Sequence, residues 1–125
     1  MRNIKFRVWS KIGKRIYDWE EMQIPHHGLG NYFKWSDMYE LMQYTGLRDK
    51  NGKEYCQDDF FRDNRTGYIY RVIRANGAFW GEPTGEPFEG YELTLLCHIN
   101  VTSEIIGNRF ENPELLEANK VIATE

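Results

Sequence analysis

The side chains that could carry acid–base chemistry are carboxylates, and the sequence scatters them. Asp58 and Asp59 are adjacent. Because neighbours on a strand point to opposite faces, they are poorly placed to share a proton or a metal ion. Asp37 and Glu40 could meet on one face of a helix, but no histidine or cysteine accompanies them. We therefore predict structural or surface roles for all four.

Residue types that bind metals are equally sparse. His26 and His27 lie together in a segment rich in glycine and proline, and His98 is remote from them. Cys56 and Cys97 form no C-x-x-C pair, whereas a zinc site needs more ligands at tighter spacing. We expect exposed loop histidines, free thiols of the kind that a reducing cytosol maintains, and no metal or cofactor.

Two hydroxyl side chains are candidates for a nucleophile, Ser36 with His27 and Thr45 beside Gly46. The sequence has no G-x-S-x-G elbow and no identifiable base–acid pair to activate either one. It also lacks the glycine patterns that bind nucleotide phosphates. No catalytic residue is assigned, and the chain is predicted not to be an enzyme. A small enzyme built from the scattered carboxylates and histidines ranks last among the alternatives.

The composition is that of an ordinary folded domain. The chain has 125 residues, 41% of them apolar and 28% charged, which suits one compact unit or two small subdomains. No apolar run approaches membrane-spanning length, and the basic start lacks the apolar block of a signal peptide. We therefore expect a cytoplasmic protein with no membrane partner.

Charge is unevenly distributed along the chain. The formal net charge is −3 and the pI is about 5.7, which disfavours non-specific coating of nucleic acid. Basic residues nevertheless cluster near the N-terminus and again between residues 62 and 74, and acidic residues cluster between 82 and 92. Opposite patches of this kind can steer self-association as readily as they attract an anionic ligand.

The elements that must position these side chains begin with a predicted β-hairpin. Residues 4–9 alternate apolar and polar side chains, which predicts a strand with one buried face and one solvent-exposed face that carries Lys5 and Arg7. A turn at residues 11–14 returns the chain as a second strand over residues 15–19.

Further short strands follow at spacings of about ten residues. They are predicted at residues 32–35, 54–62, 68–74, 78–81, 91–96 and 104–107, with loops or turns at 25–31, 63–67, 76–77 and 82–90. Residues 37–42 fit either a helical turn or the entry to a strand. This pattern is typical of a small barrel or sandwich. Asn112 as a cap and Pro113 at the first helical position predict a short helix from Pro113 to about Lys120.

The segment richest in turn signals is residues 43–53, QYTGLRDKNGK. Its glycines allow positive φ angles, and Asn51-Gly52 is a strong signal for a two-residue hairpin turn. Asp49 can supply local hydrogen bonds. We predict a tight chain reversal with a structural rather than a binding role. The motif residues are Gln43, Tyr44, Thr45, Gly46, Asp49, Asn51 and Gly52.

Three segments, in order along the chain, resemble the YopX family of phage and prophage proteins. I-K-F-R-V-W resembles the family's opening strand, and L-M-Q-Y-T-G-L-R-D-K-N-G-K-E (41–54) resembles its most distinctive motif. E-I-I-G-N-R-F-E-N-P-E-L-L (104–116) resembles its C-terminal signature and adds Gly107, Asn112 and Pro113 to the motif residues. The resemblance implies a phage or prophage origin, an intracellular protein of the host bacterium and an SH3-like small barrel with extra elements at its ends. It implies no established activity.

The central motif of that family usually continues as E-G-D-[IV]-V, where this chain reads Q-D-D-F-F (57–61). Asp59 matches and joins the motif residues, whereas Asp58 replaces glycine. Because aspartate enters the left-handed region more readily than most residues, the turn should be kept. The expected architecture is mainly β. An N-terminal β-hairpin region, residues 1–42, packs on an SH3-like barrel with a short C-terminal helix, residues 43–125.

Two binding functions follow from these features. We expect a non-enzymatic phage accessory protein that forms a homo-oligomer or binds a host or phage protein, given its aromatic richness and opposed charge patches. The alternative is a nucleic-acid-binding barrel that stacks bases on aromatic side chains beside basic ones. The candidate interaction surface is Arg71, Arg74 and Trp80 on two adjacent predicted strands. Core packing plus one polar face explains that pattern without a ligand, so nucleic acid is not favoured.

Replacing Gly52 with valine should lower folding stability before it alters any binding activity, because a β-branched side chain is strained at positive φ. Thermal unfolding measures the effect as a lower melting temperature. A variant that kept its melting temperature but lost a partner would show that the segment is functional instead.

Overall fold

The structure, a computed structural model, describes residues 4–23, 37–85 and 93–117. The chain divides into two units, residues 1–44 and 45–125. The predicted boundary between residues 42 and 43, and the predicted packing of one region on the other, stay predictions. The predicted loop at 25–31, the strand at 32–35, the pair His26–His27 and Ser36 lie outside the described residues.

Antiparallel strands form the framework of the N-terminal unit. They are β1 (Phe6–Ser10), β2 (Arg15–Tyr17) and the first half of β3 (Tyr39–Arg48). On β1, Val8 stands opposite Tyr17 of β2 on one side and opposite Leu41 of β3 on the other. The predicted hairpin is confirmed, and the chain from residue 39 onward is a strand rather than a helical turn.

A short helix, α1 (Trp19–Met22), begins where the second predicted strand was expected to continue. Asp18 starts it, because the Asp18 carboxylate accepts the Glu21 N–H at 2.9 Å and the Glu21 carboxylate reaches back to the Asp18 N–H. The helix brings Met22 onto Val8, and both are fully buried. Partly buried apolar side chains surround this core: Phe6, Tyr17, Trp19 and Tyr39.

The second face of β1 is not the solvent-exposed face that the alternation predicted. Arg7 is only 8% exposed, and its cross-strand partner Met42 is 1% exposed. That prediction is wrong at Arg7, because both faces of β1 are covered here: Val8 is fully buried on one face and Arg7 is nearly buried on the other. A long side chain such as arginine can bury its aliphatic stem in such a place.

The C-terminal unit is a small antiparallel barrel. Its strands are the second half of β3, β4 (Glu54–Cys56), β5 (Asp59–Asp63), β6 (Ile69–Ala75), β7 (Ala78–Pro83), β8 (Thr94–Leu95) and β9 (Ser103–Asn108). Five of them run in the order β8-β7-β6-β5-β9, and β4 pairs with β3. A register shift between Phe60 and Phe61, where β5 meets β9, bends the sheet. The predicted mainly β, SH3-like fold is confirmed.

Several predicted boundaries differ from the structure. The strand predicted over 54–62 is two strands, because the chain turns at Asp58, whose φ is +69°. The strand predicted over 91–96 covers only Thr94–Leu95 among the described residues. A helix, α2 (Leu96–Ile99), follows and buries both of its ends in the core. The C-terminal helix is a 3₁₀ helix, Pro113–Glu117, and residues 118–120 lie outside the described residues.

The predicted turns and the remaining strands agree with the sequence more closely. Asn76 and Gly77 both have positive φ, +50° and +75°, as the hairpin between β6 and β7 requires. The turn at residues 63–67 and the strand at 104–107 are confirmed. β7 extends two residues into the predicted 82–90 loop, and residues 86–90 of that loop lie outside the described part.

Aromatic rings fill the barrel. The Phe61 ring meets Tyr55 edge-on at 5.3 Å and stacks on Tyr70 at 5.4 Å. Gly81 leaves room for Phe61, because a Cβ at position 81 would lie 2.8 Å from its ring. The Tyr55 hydroxyl donates a hydrogen bond to the Asn100 carbonyl at 3.1 Å. The other buried members of this core are Val72, Leu96 and Ile99.

Because Tyr55 is buried, the free energy of unfolding should fall at alkaline pH. Burial, and secondly the negative charge of Asp49, raises the pKa of Tyr55 above its ordinary value of 10.0. Since the folded-state pKa is the higher one, the unfolded chain releases the phenolic proton first. The stabilisation is therefore complete below about pH 10 and declines above it. We expect Tyr55→Phe to lose about 1 kcal/mol at neutral pH with its hydrogen bond, but to lose stability less steeply above pH 10.

Urea unfolding from neutral to alkaline pH measures this difference. Tyr68→Phe, which removes a phenol from a residue outside the buried core, is the matched control. Equal alkaline slopes for Tyr55→Phe and the wild type would contradict the assignment.

Candidate functional site

The Asp49 carboxylate is the centre of the β3–β4 turn. One of its oxygens accepts the N–H groups of Asn51 and Lys53, each at 2.9 Å, and the other accepts the Ile105 N–H of β9 at 2.9 Å. Asp49 is 7% exposed. A single buried side chain thus closes the turn and ties it to a strand more than fifty residues later. A buried carboxylate is stabilised when it accepts several such bonds.

The chain reversal is shorter than residues 43–53 and has a different form from the one predicted. Residues 43–48 belong to β3, and the turn is residues 49–52, closed by a Gly52 N–H bond to the Asp49 carbonyl at 3.0 Å. Only Gly52 in this turn has positive φ, at +85°; among the described non-glycine residues, positive φ occurs at Lys14, Asp58 and Asn76. The predicted two-residue hairpin turn at Asn51-Gly52 is therefore wrong, because Asn51 lacks the positive φ that such a turn requires. The Asp49 carboxylate favours the longer turn.

The other motif residues of this segment hold β3 in place. Gly46 has φ +83° within the strand, and its N–H donates to the Glu54 carboxylate at 3.0 Å. The Thr45 hydroxyl accepts the Leu47 N–H at 3.0 Å. In the N-terminal unit, Gln43 stands opposite Phe6, and Tyr44 donates its N–H to the Lys5 carbonyl. These are contacts of strand geometry, as the predicted structural role requires.

Two further buried aspartates repeat the arrangement at neighbouring turns. Asp59, 2% exposed, accepts the Cys56 N–H at 2.8 Å across the β4–β5 turn. Asp63, also 2% exposed, accepts the Arg65 N–H at 3.0 Å and pairs with the Arg65 guanidinium at 3.2 Å. Asp63 was not singled out from the sequence. The signal that could have found it is its place immediately before the turn residues 64–67, where aspartate commonly accepts the N–H two residues ahead.

The C-terminal motif residues form a second compact turn. The Asn112 side-chain carbonyl accepts the Asn108 N–H at 3.1 Å, so its bond runs backward along the chain rather than into the helix it was predicted to cap. A Cβ on Gly107 would lie 2.4 Å from that oxygen, which explains the glycine. Asn108 accepts the N–H groups of Phe110 and Glu111, and Pro113 then begins the 3₁₀ helix.

A cluster of charges surrounds Asp58. Its carboxylate lies 3.4 Å from Arg109 Nε and 3.9 Å from an Arg71 nitrogen, and Arg71 also donates to the Glu82 carboxylate at 3.2 Å. The Asp58 backbone adds two bonds, from its N–H to the Val72 carbonyl and from the Arg109 N–H to its own carbonyl, both at 2.9 Å. The predicted left-handed conformation is confirmed. The aspartate that replaces glycine thereby joins the β4–β5 turn, β6 and the C-terminal segment.

The candidate interaction surface is only partly assembled. Arg71 and Trp80 share one face, because Arg71 pairs across the strands with Glu82 and Trp80 pairs with Ile73. Arg74 lies on the opposite face of the sheet. The Trp80 indole N–H donates to the Ala75 carbonyl at 2.8 Å, which fixes the ring. The structure thus brings Arg71 and Trp80 to one face without Arg74.

The cysteines and the one histidine among the described residues are dispersed. Cys56 is buried, whereas Cys97 and His98 are exposed on α2. The described ranges contain no group of three His, Cys, Asp or Glu side chains that could hold a metal ion. Within those ranges no helix is both long and apolar enough to cross a membrane.

One feature of the N-terminal unit was missed by sequence reasoning. Within the described part of the chain, an open pocket of about 220 Å³ is lined by two aromatic rings, two carboxylates and one ammonium group: Trp19, Tyr44, Asp18, Glu20 and Lys5. The Lys5 ammonium lies 5.3 Å from the centre of the Tyr44 ring. Its components are far apart in the sequence, and they converge only because β1 pairs with β3 and α1 packs beside them.

The family relationship follows from a match over most of the chain. A family model described as YopX protein matches residues 5–117. The chain belongs to the YopX family. The resemblance predicted from the three sequence segments is thereby confirmed. Membership assigns no reaction, because the family has no established catalytic activity. The Asp49–Ile105 bond joins the two YopX motifs, 41–54 and 104–116, so both are parts of one fold-determining contact.

A solved structure shares the architecture. The crystal structure of protein EF1440 from Enterococcus faecalis is similar with a TM-score of 0.64 and 24% sequence identity, covering 94% of this chain and 100% of that one. At this identity the likeness concerns the fold. No curated protein matches the chain.

Two variants of Asp58 separate the contributions that its backbone conformation and its charge make to the free energy of unfolding. Asp58→Asn keeps a residue that tolerates positive φ but removes the charge, and should cost about 0.5–1 kcal/mol of unfolding free energy. Asp58→Ala should cost about 1 kcal/mol more, because alanine is strained in the left-handed region. Urea unfolding at low and high salt measures both. Equal losses in the two variants, or a salt-independent loss in Asp58→Asn, would contradict this division.

Proposed function

We propose that this YopX-family chain is a non-enzymatic interaction module, a phage or prophage accessory protein of the bacterial cytoplasm that self-associates or binds a host or phage protein. The observation that carries the proposal is the distribution of exposed apolar side chains. Among the described residues, six large apolar side chains are exposed, and four of them belong to the N-terminal unit: Ile4, Ile12, Met38 and Leu41. Exposed apolar surface concentrated in one region is typical of a protein-binding site.

Two of these residues lie at or beside the turn of the β1–β2 hairpin. The Lys11 N–H donates to the Met38 carbonyl at 3.0 Å, which places Met38 beside the turn that carries Ile12. Ile12 is 72% exposed. Leu41 is 40% exposed although it stands opposite the fully buried Val8. Binding of a partner that covers these side chains is favourable, because it removes apolar surface from water.

The polar groups of the barrel support binding rather than catalysis. The buried carboxylates of Asp49, Asp59 and Asp63 accept backbone N–H groups, so they are engaged in holding turns. Nucleic-acid binding has less support. Arg71 is paired with Glu82 and Arg65 with Asp63, which reduces the positive charge available to phosphates.

Size-exclusion chromatography with light scattering tests self-association. We expect an apparent mass above that of one chain. The double variant Ile12→Lys/Leu41→Lys should shift it to the monomer with no change in melting temperature, because two charges cannot be buried without partners. Val101→Lys, at an exposed apolar residue of the other unit, is the matched control and should leave the mass unchanged.

A pull-down from host cells, with and without nuclease, tests the other partners. A protein retained after nuclease treatment by the wild type and lost by the double variant would support the proposal. A strict monomer that retains no protein would overturn it, and retention that nuclease abolishes would favour the nucleic-acid alternative.

A further inference from the structure

The pocket of the N-terminal unit combines flat aromatic surface with acidic groups. Trp19 and Tyr44 supply the rings, and Asp18 and Glu20 supply two carboxylates against the single ammonium of Lys5. Asp18 uses one oxygen to cap α1. Within the described residues, Glu20 is exposed and its carboxylate has no hydrogen-bond or ion-pair partner. The described lining residues therefore carry a net negative charge, with one carboxylate open to a ligand.

The same unit already shows how such a pairing holds a cation. The Arg15 guanidinium lies 4.3 Å from the centre of the Tyr17 ring and forms an ion pair with Glu21. An aromatic ring and a carboxylate of α1 thus hold a guanidinium together. Trp19 and Glu20 place a second aromatic ring and a second carboxylate beside each other on α1, and among the described residues no arginine lines their pocket.

We propose that this pocket binds an arginine side chain of a protein partner, with the guanidinium on the Trp19 ring and paired with Glu20. The inference rests on the proposed interaction function and specifies the partner's chemistry. A planar guanidinium both stacks on an indole and presents several N–H donors to a carboxylate. The pocket is shallow and open, which suits the end of a side chain on another protein's surface.

Lys5 sets the limit on affinity. Its ammonium already lies over the Tyr44 ring, so the incoming cation takes the Trp19 side of the pocket and meets some like-charge repulsion. An isolated arginine side chain should consequently bind with a Kd on the order of millimolar. A partner would gain further affinity from the exposed apolar side chains of the same unit.

Titration of the full chain with N-acetyl-L-arginine amide tests the proposal. The indole N–H signal of Trp19, assigned by its disappearance in Trp19→Phe, should shift saturably. Glu20→Gln should weaken binding about threefold, the size expected for one exposed ion pair. The matched control Glu114→Gln changes an exposed carboxylate of the other unit and should leave binding unchanged.

The neutral isostere N-acetyl-L-citrulline amide separates charge recognition from stacking. It should shift the Trp19 signal far less than the arginine probe. Absence of a saturable shift, an equal response to citrulline, or equal binding by Glu20→Gln and the wild type would each overturn the proposal. Because the probe is a small molecule, these results are independent of the mass and pull-down measurements that test the interaction function itself.

Discussion

The fold of the C-terminal unit depends on one carboxylate. Asp49 accepts three backbone N–H groups, two from its own turn and one from β9. A second bond, from the Lys50 N–H to the Ser103 carbonyl at 3.0 Å, runs beside it. Asn100 extends the contact by donating its side-chain N–H to the Arg48 carbonyl at 2.8 Å. Distant parts of the chain are thereby fixed at the point where β3 reverses into β4.

A small barrel must satisfy many backbone groups at its turns while its interior is filled by large rings. Here four of the turns contain a short buried polar side chain: Asp49, Asp59, Asp63 and, near the C-terminus, Asn108. Each accepts N–H groups that the strands leave unpaired. An unpaired buried N–H costs about 1–3 kcal/mol. These polar residues are therefore as much part of the core as Phe61 and Tyr55. Their carboxylate oxygens are engaged with backbone N–H groups.

Sequence reasoning predicted the barrel well because its signals are local. Asn76-Gly77 and the turn at 63–67 act within a few positions, and the structure confirms both. It failed where a residue's environment is set by distant chain. Arg7 lies at a position where the alternation predicts an exposed residue, but it is buried. The turn that forms is the one closed by Asp49, not the predicted two-residue turn at Asn51-Gly52. Of the candidate surface, the opposite orientation of Arg74 follows from its odd spacing from Arg71 along one strand, whereas the position of Trp80 on the Arg71 face follows from cross-strand register.

By itself, the sequence determined the mainly β class, most strand and turn positions, the YopX family and the importance of residues 43–53, because propensity and turn chemistry are properties of short segments. Only the tertiary structure decided what those motif residues do. It joined Asp49 to Ile105, gave Asp58 two arginine neighbours and brought Lys5, Trp19 and Tyr44 around one pocket. These contacts link residues far apart in the chain, and their geometry depends on strand pairing and register that no local pattern records.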